Sequence, residues 1–250
     1  VPPTATPAPP TATRVPPTAT ASGKSADALA AELTGIAKLL LPKPAATPGA
    51  GGMDVAVMQL KTNLGNQWLA YSTGMRPHDP LLNHWIALYT YSPAGWQQVS
   101  KIDLPSSDYI YPDPPRQVQI DPERIWLQIN GGAGAHSGVF SLVSFDGRTL
   151  KLEIEHLSSS PGGSRVLDLN GDKMHDVVLD GTDYYVFCYA CGLRYYRYSV
   201  LTWNGSRLAE VKLTPLPASA PADVRAAVNR AVTLAQAGLW KDAQVAVASV

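Results

Sequence analysis

Apolar residues recur at two different periods along this chain, and the period changes twice. Between Ser25 and Leu41, the residues Leu29, Leu33, Ile36 and Leu40 are three and four positions apart, the spacing that lines one face of an α-helix. Ser25 is placed to cap that helix, with Asp27 and Glu32 toward its positive end and Lys38 toward its negative end. Pro42 and Pro44 stop it, and Pro48-Gly-Ala-Gly-Gly52 reads as a hinge. From residue 53 to 214 the pattern is that of strands. Three segments share a strand, a glycine turn and a return strand: Trp85–Val99, Val139–Glu153 and Tyr198–Lys212. Asp146-Gly147 and Asn204-Gly205 suit the positive φ angles of tight hairpins. An aromatic residue precedes each turn, at Tyr91, Phe145 and Trp203, so the units are 54 and 58 residues apart. A period of that size predicts blade-like or meander repeats. Each unit opens on a further strand, at Val55–Lys61, Arg124–Asn130 and Asp176–Asp180. After Pro221 the helical period returns. Val224, Val228 and Val232 with Ala227, Ala231 and Ala235 form a stripe, Gly238 breaks it, and Lys241–Val250 begins a second helix. The expected fold is mainly β, built of antiparallel meander or blade-like β-repeats, flanked by an N-terminal helix and a C-terminal helical hairpin.

The first 21 residues are of another kind. They are almost entirely Pro, Thr and Ala, with Arg14 the only charge, and a seven-residue unit repeats three times from Val1, Ala8 and Val15. Paired prolines forbid helix and sheet ladders and favour polyproline II, so twenty residues reach roughly 60 Å. The hydroxyls of Thr4, Thr6, Thr11, Thr13, Thr18 and Thr20 are possible O-glycan acceptors. The segment reads either as a spacer or as an arm that docks on a neighbouring subunit. The expected organisation is an arm or spacer over 1–22, helix and hinge over 23–52, the β-domain over 53–216 and the helical hairpin over 217–250. Because the chain starts at Val1 and not Met, removal of a leader is expected.

Composition narrows the class. Of 250 residues only 16% are charged, and 20 basic residues balance 20 acidic ones. A neutral, charge-poor chain has no electrostatic footprint for nucleic acid or anionic lipid. No run of 18 apolar residues occurs, so no transmembrane segment is expected. Eleven Tyr and six Trp against three Phe suggest half-exposed aromatic strands. The two cysteines, Cys188 and Cys191, read in a surface protein as a disulfide closing a tight loop. A redox pair or two free thiols are the alternatives, and a zinc site lacks its second pair of cysteines.

One motif carries chemistry. In Asp168-Leu-Asn-Gly-Asp-Lys-Met-His-Asp176, oxygen side chains stand at positions 1, 3, 5 and 9, with the Met174 carbonyl at position 7. Such a run of short acids suits a hard cation that takes six to eight oxygens; the alternative is a solvated Asp/Asn turn between strands. Position 12 is Leu179, not glutamate, so this is not a full EF-hand. The run resembles the calcium loop of FG-GAP and VCBS repeats, found between strands in propeller-like surface proteins. That resemblance implies Ca2+ held by Asp168, Asn170, Asp172 and Asp176 through side chains and by Met174 through its backbone. Lys173 departs from the family pattern, which has glycine there; a left-handed backbone at this position costs a non-glycine residue about 1 kcal/mol. Similarly, Ala231–Ala243 resembles one helix-turn-helix unit of a tetratricopeptide repeat.

Catalytic patterns are weak. The five histidines (His78, His84, His136, His156, His175) include no pair four residues apart. Gly134-Ala-His-Ser-Gly138 places its serine fourth, unlike a nucleophile elbow, and reads as a hairpin loop. Glu153 and Glu155 alternate on a strand and are expected to face solvent. The reading is therefore a non-catalytic, extracellular, bacterial cell-surface structural protein, stabilised by calcium. It self-associates head to tail through the arm or meets another surface protein. The alternative is a stalked adhesion or carbohydrate-binding module that takes glycans.

Overall fold

A computed structural model describes residues 23–42, 52–63, 65–77 and 82–248. The arm with its six threonines, most of the hinge and His78 lie outside the described residues.

The architecture is mainly β, with antiparallel curled sheets and a few helices including a C-terminal pair. Helix α1 (Ala26–Lys38) is followed by β1 (Met53–Gln59), β2 (Gln67–Met75), β3 (His84–Ser92), β4 (Gly95–Leu104), β5 (Tyr109–Ile110), β6 (Arg116–Val118), β7 (Ile125–Ala133), β8 (Ser137–Phe145) and β9 (Leu150–Ser158). These nine strands form one antiparallel sheet in the order β4-β3-β2-β5-β7-β8-β9, with β1 on β2 and β6 on β7. The sheet curls into a half-barrel, and its two edges are tied by side chains. The Leu150 N–H of β9 donates to Ser100 Oγ of β4 at 3.0 Å, and Ser106 donates through both N–H and hydroxyl to the Glu155 carboxylate. A second sheet joins β10 (Arg165–Leu167), β11 (Asp176–Asp180), β12 (Tyr198–Trp203) and β13 (Leu208–Glu210) in that order. Helices α2 (Ala222–Gln236) and α3 (Trp240–Val247) close the chain. The hairpins at Tyr91 and Phe145 thus share the large sheet, and the one at Trp203 lies in the small sheet.

Alternation along the strands sorts the core into layers. Leu69, Tyr71, Ile86, Leu88, Leu127, Val143 and Phe145 point into the curl. Their neighbours Trp68, Ala70, Trp85, Ala87 and Tyr89 point outward and receive Leu29, Leu33 and Ala37 of α1. Ser25 caps α1 as expected, accepting the Ala28 N–H at 3.3 Å. The buried stripe ends on Ala37, and Leu40 is 38% exposed, because the last helical residue is Lys38. On the far wall Trp126, Phe140 and Leu142 face outward and pack against Val166 and Val177 of the small sheet.

An irregularity in β9 lets one strand serve both cores. Leu142 pairs with Ile154 but Val143 with Leu152, so Glu153 is an extra residue. Leu150 and Leu152 therefore face the interior while Ile154 faces the small sheet. The two glutamates are consequently not free surface charges. Glu153 pairs with Arg124 at 3.2 Å and Lys151 at 2.8 Å, and Glu155 holds Ser106.

Candidate functional site

The Asp168–Asp176 loop joins β10 to β11, whose register closes with Leu167 opposite Asp176. Its side chains organise its own backbone. Asp168 accepts the N–H groups of Gly171 at 2.7 Å and Lys173 at 3.0 Å; Asn170 accepts Asp172 N–H at 3.0 Å and Asp172 accepts Met174 N–H at 2.8 Å. Asp176 accepts Leu169 N–H at 3.3 Å. Lys173 has φ +72°, the only positive φ at a non-glycine residue among those described. Desolvation pushes the Asp168 carboxyl up, but N–H donors led by Lys173 and Gly171 outweigh it and hold it below the usual carboxylate value. The loop also bridges the sheets: His175 N–H donates to the Gln119 carbonyl at 2.6 Å, and Gln119 N–H donates to His175 Nδ1 at 3.0 Å.

The donor set, three carboxylates, one amide oxygen and the Met174 carbonyl, has the hard-oxygen chemistry calcium selects. Among the described residues no three His, Cys, Asp or Glu side chains converge as a metal cluster. A bound ion would exchange some of the loop's internal bonds for its own. Lys173→Gly tests the backbone strain. Glycine adopts this φ without a Cβ penalty, so the variant is expected to gain about 1 kcal/mol in urea unfolding without added metal. An unchanged or lower midpoint would show that Lys173 is not strained.

The segment between β11 and β12 is a second, unforeseen concentration of chemistry. Cys188 and Cys191 form a disulfide around the short 3-10 turn Tyr189–Cys191, as the sequence led us to expect. Around it Phe187 is 83% exposed, and Tyr185, Val186, Leu193 and Tyr195 stand about half out of the surface. The Tyr189 ring stacks on His136 at 4.6 Å and 19°, and on Tyr184 at 5.9 Å and 25°. The Arg194 guanidinium lies 4.5 Å from the Tyr184 ring centre and 5.4 Å from that of Tyr189. It also donates to the Tyr189 and Leu193 carbonyls. The run Tyr184-Tyr-Val-Phe-Cys-Tyr-Ala-Cys was visible in the sequence. The pattern reads as strands over 53–214 with a tight loop at the two cysteines; in the structure only an isolated bridge, Asp183 to Tyr195, pairs this segment.

Between the sheets lies a cleft of about 220 Å³ lined by Arg124, Trp126, Lys151, Glu153, Trp203 and Arg207 among others. Arg124 fills its floor, sandwiched 4.5 Å from the Trp126 ring centre and 4.6 Å from that of Trp203. Asp121, buried beneath, accepts from Arg124 Nε and Trp126 Nε1, both at 2.8 Å.

Ser72 and His84 come within 3.0 Å through Oγ and Nδ1, which is nucleophile–base distance. Both are buried, at 1% and 0% exposure, so no substrate reaches them; Ser72 instead bonds the Trp85 backbone. Burial pushes the His84 imidazole below its ordinary value, with Arg76 adding to the effect and the Asp108 and Ser72 contacts opposing it. The unfolded chain therefore binds a proton that the folded chain refuses. Stability is expected to fall as pH drops below about 6.5, approaching about 1.4 kcal/mol per pH unit, until pH passes the depressed folded value. Urea midpoints measured from pH 8 downward should show a shallower acid slope in His84→Gln than in the parent. Equal slopes would remove His84 as the source.

His136 stacks as described, and His156 Nε2 lies 3.0 Å from the Asp180 carbonyl. Gly134, Ala135 and His136 form the β7–β8 turn, and Ser137 and Gly138 begin β8. Asn204 accepts the Ser206 and Arg207 N–H groups at 3.1 and 3.0 Å, the role of a hairpin residue. No helix among the described residues is long and apolar enough to cross a membrane. Searches of family models, curated proteins and solved structures find no match to this chain.

Proposed function

We propose that this chain is a non-catalytic, extracellular structural subunit that self-assembles through its Pro/Thr-rich arm and is stiffened by calcium in the Asp168–Asp176 loop. The observation that carries the reading is the exposed apolar cluster around the Cys188–Cys191 disulfide. A side chain as large as Phe187 at 83% exposure, in a segment where Tyr185, Val186, Leu193 and Tyr195 are also about half exposed, is a surface that calls for a partner. The disulfide supports an oxidising compartment. For calcium, the support is the oxygen-only donor set at the resembled spacing and the left-handed backbone at Lys173. Because His175 ties this loop to Gln119, an ion there would stiffen the joint between the two sheets.

Light scattering after size exclusion tests the reading, on the full chain in calcium and then in chelator. Large particles that shrink in chelator are expected. A single-chain mass of 26.7 kDa in both buffers would overturn assembly, and equal large size in both would overturn the role of calcium. The thermal midpoint should rise with added calcium and stay put in Asp172→Ala; no rise in the parent chain removes the ion.

A second reading, a stalked adhesion or carbohydrate-binding module, is favoured by the cleft, where Trp203 and three cations flank a space near the size of one sugar ring. A glycan array without signal above background would set it aside.

A further inference from the structure

The start of α1 and the aromatic segment lie at opposite ends of the curled sheet. Lys24, just before α1, places its ammonium 5.7 Å from the Tyr91 ring centre, at the β3–β4 turn. The helix runs away from that turn, and Lys38 at its end pairs with Asp54 at the start of β1. That far end also holds the start of β3, where His84 Nε2 approaches the Asp108 carbonyl at 3.4 Å. Asp108 in turn accepts the Gly134 N–H of the β7–β8 turn at 3.1 Å. Two residues on, His136 stacks against Tyr189. From His84 to Tyr91 the strand covers about 23 Å at 3.3 Å per residue. Lys24, and with it the point at which the arm joins the domain, therefore lies at the end remote from the chain's own aromatic segment.

We propose that the disulfide-closed aromatic segment, residues 183–197, receives the Pro/Thr-rich arm of a second copy of this chain. This rests on the assembly reading above and names its acceptor. The chemistries match. The arm repeats its proline pairs, Pro2-Pro3, Pro9-Pro10 and Pro16-Pro17, every seven residues. Polyproline II is a rigid rod that loses little entropy on docking, and aromatic-lined surfaces recognise it by packing flat rings against the pyrrolidines. The rings of Phe187, Tyr185 and Tyr195, 83%, 49% and 50% exposed, provide such a surface, and the His136–Tyr189–Tyr184 stack beneath Arg194 braces the segment that carries them. Polyproline II leaves its carbonyls without internal bonds, and tyrosine hydroxyls are donors that satisfy them. Charge has little weight in the contact: the arm carries only Arg14, and residues 183–197 carry only Asp183, Arg194 and Arg197. Arg194 is already engaged over Tyr184 and Tyr189. With root and acceptor at opposite ends, each copy offers one of each, which gives a heterologous, head-to-tail contact that need not close.

The test uses the full chain. Phe187→Ser combined with Tyr185→Ser leaves the disulfide and the Tyr184–Tyr189 stack in place. It is expected to raise the concentration for half-assembly about thirtyfold, the effect of losing a central aromatic anchor. Independently, a synthetic peptide of residues 1–21, added in excess to the unmodified chain, should dissolve its particles to single chains. The same peptide with its six paired prolines replaced by alanine should not. If the double variant loses its folded circular-dichroism spectrum, the peptide competition decides. Should the parent chain assemble and a folded double variant assemble equally well, the acceptor lies elsewhere and this inference fails while the assembly reading stands. A parent chain that is monomeric at every concentration fails both. If assembly is unchanged but Phe187-dependent binding to phosphatidylserine vesicles is found, the segment faces a membrane and the proposal is overturned.

Discussion

Replacing Asp121 by alanine is expected to cost about 3–5 kcal/mol, the penalty for breaking a buried ion pair from one side. The carboxylate is 2% exposed and accepts four donors: the N–H groups of Glu123 and Arg124 at 2.8 and 2.9 Å, with Arg124 Nε and Trp126 Nε1. Without it, a guanidinium held between two indoles keeps only Glu153, at 3.2 Å, and a buried indole N–H has no acceptor. The near-UV circular dichroism of the Trp126–Arg124–Trp203 sandwich should weaken along with the urea midpoint, because the same residue seats the small sheet on the large one. Asp121→Asn keeps the shape and one acceptor oxygen, so it should cost less. The acid limb has a defined sign. Desolvation pushes Asp121 up, but N–H donors led by Glu123 and Trp126 outweigh it and hold the carboxyl below its ordinary value. Its contribution is therefore present above about pH 3.9 and is lost as pH falls through that value toward the folded one. A loss under about 1 kcal/mol for Asp121→Ala, the level of an unremarkable substitution, would mean that this network does not join the sheets.

Phe145→Ala should be comparably severe, at about 3–5 kcal/mol, but with a different signature. Phe145 is 0% exposed and sits inside the curl among Leu69, Ile86, Leu127 and Leu150, so residues from the first half of the chain meet the second half around it. Its loss is expected to lower the stability of the curled sheet as one unit, with far-UV and tryptophan signals shifting together. Separate transitions for the two signals would mean that the curl holds two independent cores.

The sequence revealed local features better than shared ones. Ser25 as a cap, the turns at Gly147 and Gly205, Gly238 as a helix break and the left-handed demand at position 173 are each dictated within a few residues, and each is present. The mainly β class with its N-terminal helix and C-terminal helical pair was likewise legible from the change of period. What periodicity does not encode is which strands share a sheet. Nothing in the hairpin at Trp203 distinguishes it from those at Tyr91 and Phe145, and the separation depends on Trp126, Phe140 and Leu142 facing outward. Glu153 was misread for a related reason. A strict two-residue alternation places it beside Glu155 on an open face, and the extra residue in β9 shifts the register between Val143 and Leu142. The tight loop at Cys188 and Cys191 is legible from the cysteine spacing, but not how far the strands lapse on either side of it, because tyrosine-rich runs such as Tyr195–Tyr198 favour sheets.

The opposed positions of the α1 start and the 183–197 segment also have a mechanical meaning. A tension applied between these two points runs nearly along the strands of the curled sheet. Hydrogen bonds in an antiparallel ladder lie across the strands, so such a pull loads many of them together in shear instead of opening them one after another like a zip. The β7–β8 pairing alone, in register from Ile125 opposite Phe145 to Ala133 opposite Ser137, would have to slip as a block. In this direction the curled sheet is a stiff link, and yielding would begin where no ladder or almost none crosses the line of force: at α1, held to the sheet by side-chain packing, and in the loosely paired 183–197 segment.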